Sequence, residues 1–106
     1  MALSDAHLRY LFAISNAAAA TPDVSSRQIA SALGVTKPSV VHILNILMRD
    51  GMVVKRHYGK IDRTDRGVFT VSYYGRLLDA TLAAMPEYPF PVSADERRKA
   101  ALALIA

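Results

Sequence analysis

Between Ser25 and Gly51 the chain punctuates two helices and the corner between them, and this stretch limits the available folds more than any other feature. Ser25-Ser-Arg-Gln28 has the Ser-x-x-Gln spacing of a capping box, in which hydroxyl and amide side chains reciprocally satisfy the first free N–H groups of a helix. The short helix it opens carries Ile29, Ala30 and Leu33 inward and stops at Gly34, which can take the left-handed conformation favoured just past a helix end. Thr36 is placed to cap the next helix. Pro38 stands in that helix's first turn, where its missing N–H forfeits no bond. Val40, Ile43, Leu44 and Leu47 then fall at i, i+3, i+4 and i+7, and the helix runs to about Asp50 before Gly51 ends it.

A short helix, a Gly-containing turn and a second helix make the helix-turn-helix pattern, which projects its second helix outward from a three-helix core. The third core helix is expected upstream, over about residues 5–19, with Leu8, Leu11, Phe12 and Ile14 at helical spacing and Thr21-Pro22-Asp23 as its stop. After Gly51 the period changes. Met52–Tyr58 and Gly67–Ser72 read as strands, so the polar segment Gly59–Arg66 between them reads as the long basic tip of a hairpin. A helix is expected from about Ser72 to Met85, then a break at Pro86, Pro89 and Pro91. A second capping box, Ser93-Ala-Asp-Glu96, opens a terminal helix through Leu102, Leu104 and Ile105. The predicted fold is mainly α with a β-hairpin wing: a three-helix core, the wing, and additional C-terminal helices. Residues 1–85 form the winged unit, and residues 86–106 form a Pro-rich connector and helix.

Composition supports one globular domain. The chain has 106 residues, 52% hydrophobic and 21% charged, enough apolar material for a core. With no Cys there are no disulfides, thiolate zinc sites or Cys nucleophiles, and a cytoplasmic location is expected. No export leader or membrane span is expected either, because Asp5, His7 and Arg9 interrupt the first apolar run. The net charge is +4, and it is unevenly placed. Residues 1–36 are balanced and residues 77–106 carry −1, whereas residues 37–76 hold eight Lys and Arg against three Asp, a surplus of five. Such a concentrated surplus suits a polyanion. No carboxylate pair, nucleophile with base, or phosphate-cradling Gly loop occurs at a usable spacing, so an enzyme is not expected. His7, His42 and His57 fall on different elements without ligand spacing, and neither a metal nor a cofactor is expected.

His7-Leu-Arg-Tyr-Leu-Phe-Ala-Ile14, Ile29-Ala-Ser-Ala-Leu-Gly-Val35, Pro38-Ser-Val40, Leu44, Leu47, Asp50-Gly-Met-Val53 and Ser72-Tyr-Tyr-Gly-Arg76 occur in register over about residues 5–85. Together they resemble a winged helix-turn-helix transcriptional regulator, first the DNA-binding domain of DtxR-type iron-dependent repressors and next the MarR type. The resemblance implies a recognition helix, residues 37–50, in the major groove, an opening of about 12 Å that admits a helix. It also implies that Lys37, Ser39 and His42 occupy the base-reading half. From the residues alone, Ser39, His42 and Asn45 lie off the apolar face and carry groups that base edges can read, while Arg27 starts a helix, where phosphates are commonly met.

A wing over residues 55–67 would set Lys55, Arg56, Lys60, Arg63 and Arg66 along the backbone or in the minor groove, and it looks a few residues longer than usual. Asp62 and Asp65 either weaken that charge or pair with Arg63 and Arg66 to stiffen the tip. Val41, Ile46 and Met48 are either core or a protein contact. DtxR-type repressors bind metal beside the first helix, but the corresponding positions here are Ala6 and Arg9, so metal sensing is not implied.

Double-stranded DNA and a second copy of the chain are the expected partners, since a two-fold dimer matches a palindromic site. The surfaces expected to pair are the Ala17–Ala20 end of the first helix and the terminal helix Ser93–Ala106, unless that helix packs back on its own domain. The expected function is sequence-specific transcriptional regulation; the alternative is a winged-helix protein-interaction module that binds no DNA.

Overall fold

Leu8, Leu11 and Ile14, spaced along one side of a helix over Asp5–Ala20 (α1), are essentially inaccessible to water, and the rest of the molecule assembles on that side. The computed structural model describes residues 3–106. The Ser4 hydroxyl caps α1 by accepting from the His7 N–H at 3.2 Å. Two further helices follow, α2 over Ser26–Leu33 and α3 over Lys37–Arg49. Ser25 and Gln28 form the expected capping box, and Gly34 ends α2 at φ 66°. Thr36 caps α3 through the Ser39 N–H at 3.3 Å. The chain direction turns by 111° between α2 and α3, the steep angle of a helix-turn-helix. Ile29 from α2 and Val40, Leu44 and Leu47 from α3 close on α1.

The hairpin is much shorter than expected. Its strands are β1, Val53–Lys55, and β2, Ile61–Arg63, antiparallel with Val53 opposite Arg63 and Lys55 opposite Ile61. A tight turn, His57–Gly59, joins them, with Tyr58 and Gly59 both at positive φ. The expected second strand, Gly67–Ser72, is instead part of a helix, α4, over Asp65–Ala84. Thr64 explains the change. Its hydroxyl accepts from the Gly67 N–H at 3.0 Å and donates to the Gly51 carbonyl at 2.6 Å, so it caps α4 and ties it to the turn after α3. Gly67 is buried there so close to the Met52 carbonyl oxygen that a Cβ would overlap it. The β-branched run Val68-Phe-Thr-Val71 thus has strand propensity but helical structure, and the wing of residues 55–67 contracts to residues 53–63.

The terminal helix α5, Ala94–Ile105, opens with the Ser93–Glu96 capping box and takes the second of its two expected courses. It packs back on α4 and α1, burying Ala101 and Leu102. Arg97 fixes the connector by donating to the carbonyls of Met85 at 2.9 Å and Pro86 at 3.3 Å, the loose end of α4. Among the described residues the fold is therefore mainly helical, five helices and a two-stranded wing, with α1 touching every other helix. Among the described residues no single helix is long and apolar enough to cross a membrane.

Candidate nucleic-acid interface

Burial of Val40, Leu44 and Leu47 fixes which side of α3 meets solvent. At 100° per residue, Ser39, His42, Asn45 and Arg49 project from the opposite side, and all four are exposed. Lys37 is exposed at the helix start, and Arg27 is exposed in the first turn of α2. The Ser39 hydroxyl lies 2.9 Å from that of Thr36, so it contributes to the cap while remaining at the surface. Met48 packs against the core, whereas Val41 and Ile46 are half-buried beside the exposed face. Arg49 was not among the sequence candidates, although the helical count that selects His42 and Asn45 reaches it; its side chain is 73% exposed and 3.8 Å from the Asp50 carboxylate.

Arg9 could not have been found that way. It lies on α1, yet it borders a shallow hollow of about 480 Å³ that Pro38, Ser39, His42 and Ile43 line from α3. Only the packing of α1 across the helix-turn-helix brings it beside the exposed face of α3.

The wing cations are less free than their sequence suggests. Lys60 Nζ is 2.6 Å from Asp23 and Arg56 Nε is 2.9 Å from Asp62. Arg63 is not at the tip. It is half-buried at the end of β2, donating to the Ser15 hydroxyl of α1 at 2.9 Å. Arg66 is not on the wing either; it occupies the first turn of α4, with its side chain lying over Gly51. Lys55, exposed on β1, has no carboxylate partner among the described residues. Of the two acids, Asp62 pairs with Arg56 rather than Arg63, and Asp65 belongs to the first turn of α4. The Arg56 hydrogen bond, with help from the Arg63 N–H at 2.8 Å, holds the Asp62 carboxyl below the usual aspartate range.

An exposed polar helix face, a steep turn before it and a small anchored hairpin after it form the constellation by which winged helices meet DNA. Residues 3–60, just over half of the chain, match the MarR family. The chain belongs to the MarR family. This is the second of the two resemblances drawn from the sequence, and MarR-family proteins are DNA-binding transcriptional regulators with winged helices. The matched residues run from α1 through the tip of the wing, so α4 and α5 lie beyond them. No curated protein matches the chain.

Proposed function

We propose that this MarR-family chain is a sequence-specific transcriptional repressor that binds a palindromic duplex as a homodimer, with α3 of each copy in the major groove. The observation that carries the reading is the solvent face of α3, where Ser39, His42, Asn45 and Arg49 stand in line behind a fully buried apolar face. His42 and Asn45 read base edges. Ser39 and Lys37 act at the helix start, and Arg27, Arg49 and Arg9 neutralise phosphates on either side. On the wing, Lys55 approaches the backbone directly. Arg56 and Lys60 follow by exchanging Asp62 and Asp23 for phosphate, which solvent-exposed pairs of this kind give up at little cost. Arg63 and Arg66 lie at the wing base and strengthen the local potential. Kinship to the DtxR type rests on the motif residues alone.

The second copy is best accommodated by α4, whose exposed Phe69, Tyr73 and Leu77 recur every fourth residue. In an antiparallel pairing centred on Tyr73, Phe69 of one helix meets Leu77 of the other, so the stripe complements itself across a two-fold axis. Residues 1–85 are then the reading unit, and residues 86–106 complete its core.

Selection of bound fragments from a random duplex pool tests the reading. A recovered palindromic consensus that His42→Ala and Asn45→Ala relax at defined positions supports it. Failure to retain any duplex at low salt, with the chain folded, rejects it in favour of a protein-interaction module.

A further inference from the structure

The wing tip carries a residue whose backbone and surroundings do not match its chemistry. Tyr58 has φ 61° and ψ 27°, and among the described residues it is the only non-glycine with positive φ. That conformation crowds a Cβ against the following carbonyl, and Gly, Asn or Asp normally occupies it. The ring gains nothing from the fold in return, being 98% exposed, more than any other large apolar side chain described. The turn that holds it is nonetheless well fixed. The Arg56 N–H donates to the Lys60 carbonyl at 2.7 Å and the Gly59 N–H to the Arg56 carbonyl at 3.1 Å. Below the turn, the Ile61 N–H is bonded to the Val24 carbonyl at 2.9 Å, and Lys60 is paired with Asp23. A strained, rigid turn thus presents one aromatic ring to solvent, a pattern typical of residues that act on a partner.

We propose that Tyr58 is the wing's principal DNA-contacting side chain, entering the minor groove with its ring against the sugars and its hydroxyl towards a phosphate. The proposal rests on the DNA-binding reading above and adds an aromatic contact at the tip of a cationic wing. Arg56 and Lys60, the cations flanking the ring, meet phosphate only after giving up Asp62 and Asp23, whereas the Tyr58 ring is 98% exposed and packs on nothing in the fold. Its neighbours favour a polyanion. Tyr58 stands among Arg56, His57, Gly59 and Lys60, all exposed and three of them basic in type, a setting that suits a groove walled by sugars and edged by phosphates.

Tyr58→Asn and Tyr58→Phe test this on the full chain with a labelled mixed-sequence duplex. Asn tolerates left-handed backbone, so Tyr58→Asn should keep or raise the thermal midpoint while weakening binding about ten-fold. The slope of log affinity against log salt should stay unchanged, because no ion pair with phosphate is lost. Tyr58→Phe should retain most of the affinity. Wild-type affinity in Tyr58→Asn, or a flattened salt slope, overturns the aromatic contact while leaving the regulator reading intact. A wild-type chain that binds no duplex overturns both.

Discussion

Gly67 and Gly75 sit eight positions apart on α4 and respond oppositely to a methyl group. At Gly67 a Cβ would run into the Met52 carbonyl oxygen, backbone against backbone, with no flexible side chain to yield. Gly67→Ala should therefore lower stability by about 3 kcal/mol, read from the denaturation midpoint. At Gly75 the new carbon would meet only the Phe12 ring at 3.8 Å, an ordinary contact. Gly75→Ala should raise stability by about 0.5 kcal/mol through helix propensity alone. Asp62 adds a pH dependence of definite sign. Its carboxyl is held below the usual range, so its contribution is present above the unfolded aspartate pKa and is lost as pH falls through the folded value. The acid limb of a thermal-midpoint titration, below about pH 4, should be shallower in Asp62→Asn than in wild type. None of this could be read beforehand. From sequence Gly67 reads as a strand residue and Asp62 as a partner of Arg63 within the tip, because neither residue's neighbours are fixed by sequence distance.

The capped helices are the most legible elements. Ser25, Thr36 and Ser93 each announced a helix start that the structure contains, since a cap is a local bond between residues three apart. Thr36→Ala should cost about 1 kcal/mol and fray the start of α3, visible as faster amide exchange at Ser39 and Val40. The first two turns of α4 read as a strand from sequence for an equally definite reason. Their β-branched and aromatic residues favour strands by fractions of a kcal/mol each, less than the helix gains from the Thr64 cap at its start and the burial of Leu78 further along. That strand reading conceals the exposed stripe of Phe69, Tyr73 and Leu77, which appears only at helical spacing. Phe69→Glu should convert a dimer to a monomer in sedimentation and leave the helical circular dichroism unchanged, since Phe69 is 76% exposed.

At the scale of the molecule, surplus charge in residues 37–76 is not the same as charge available to DNA. Lys60 and Arg56 stand beside carboxylates, Arg49 more loosely so at 3.8 Å, and Arg63 faces Ser15, while Lys37 and Lys55 have no carboxylate partner among the described residues. Lys37→Ala and Arg49→Ala should each reduce the salt slope of binding by about one, whereas Arg63→Ala should leave the slope nearly unchanged and lower the melting temperature. The sequence by itself determined the three-helix core, the steep corner at Gly34, the outward face of α3 and the presence of a wing, because helical period, caps and turns are set by residues within a few positions of one another. Only the tertiary structure decided how short the wing is, which cations it leaves unpaired, and that Arg9 stands beside the exposed face of α3. Each of these depends on residues distant in the chain, such as Asp23 with Lys60 or Ser15 with Arg63, and packing alone brings them within bonding distance.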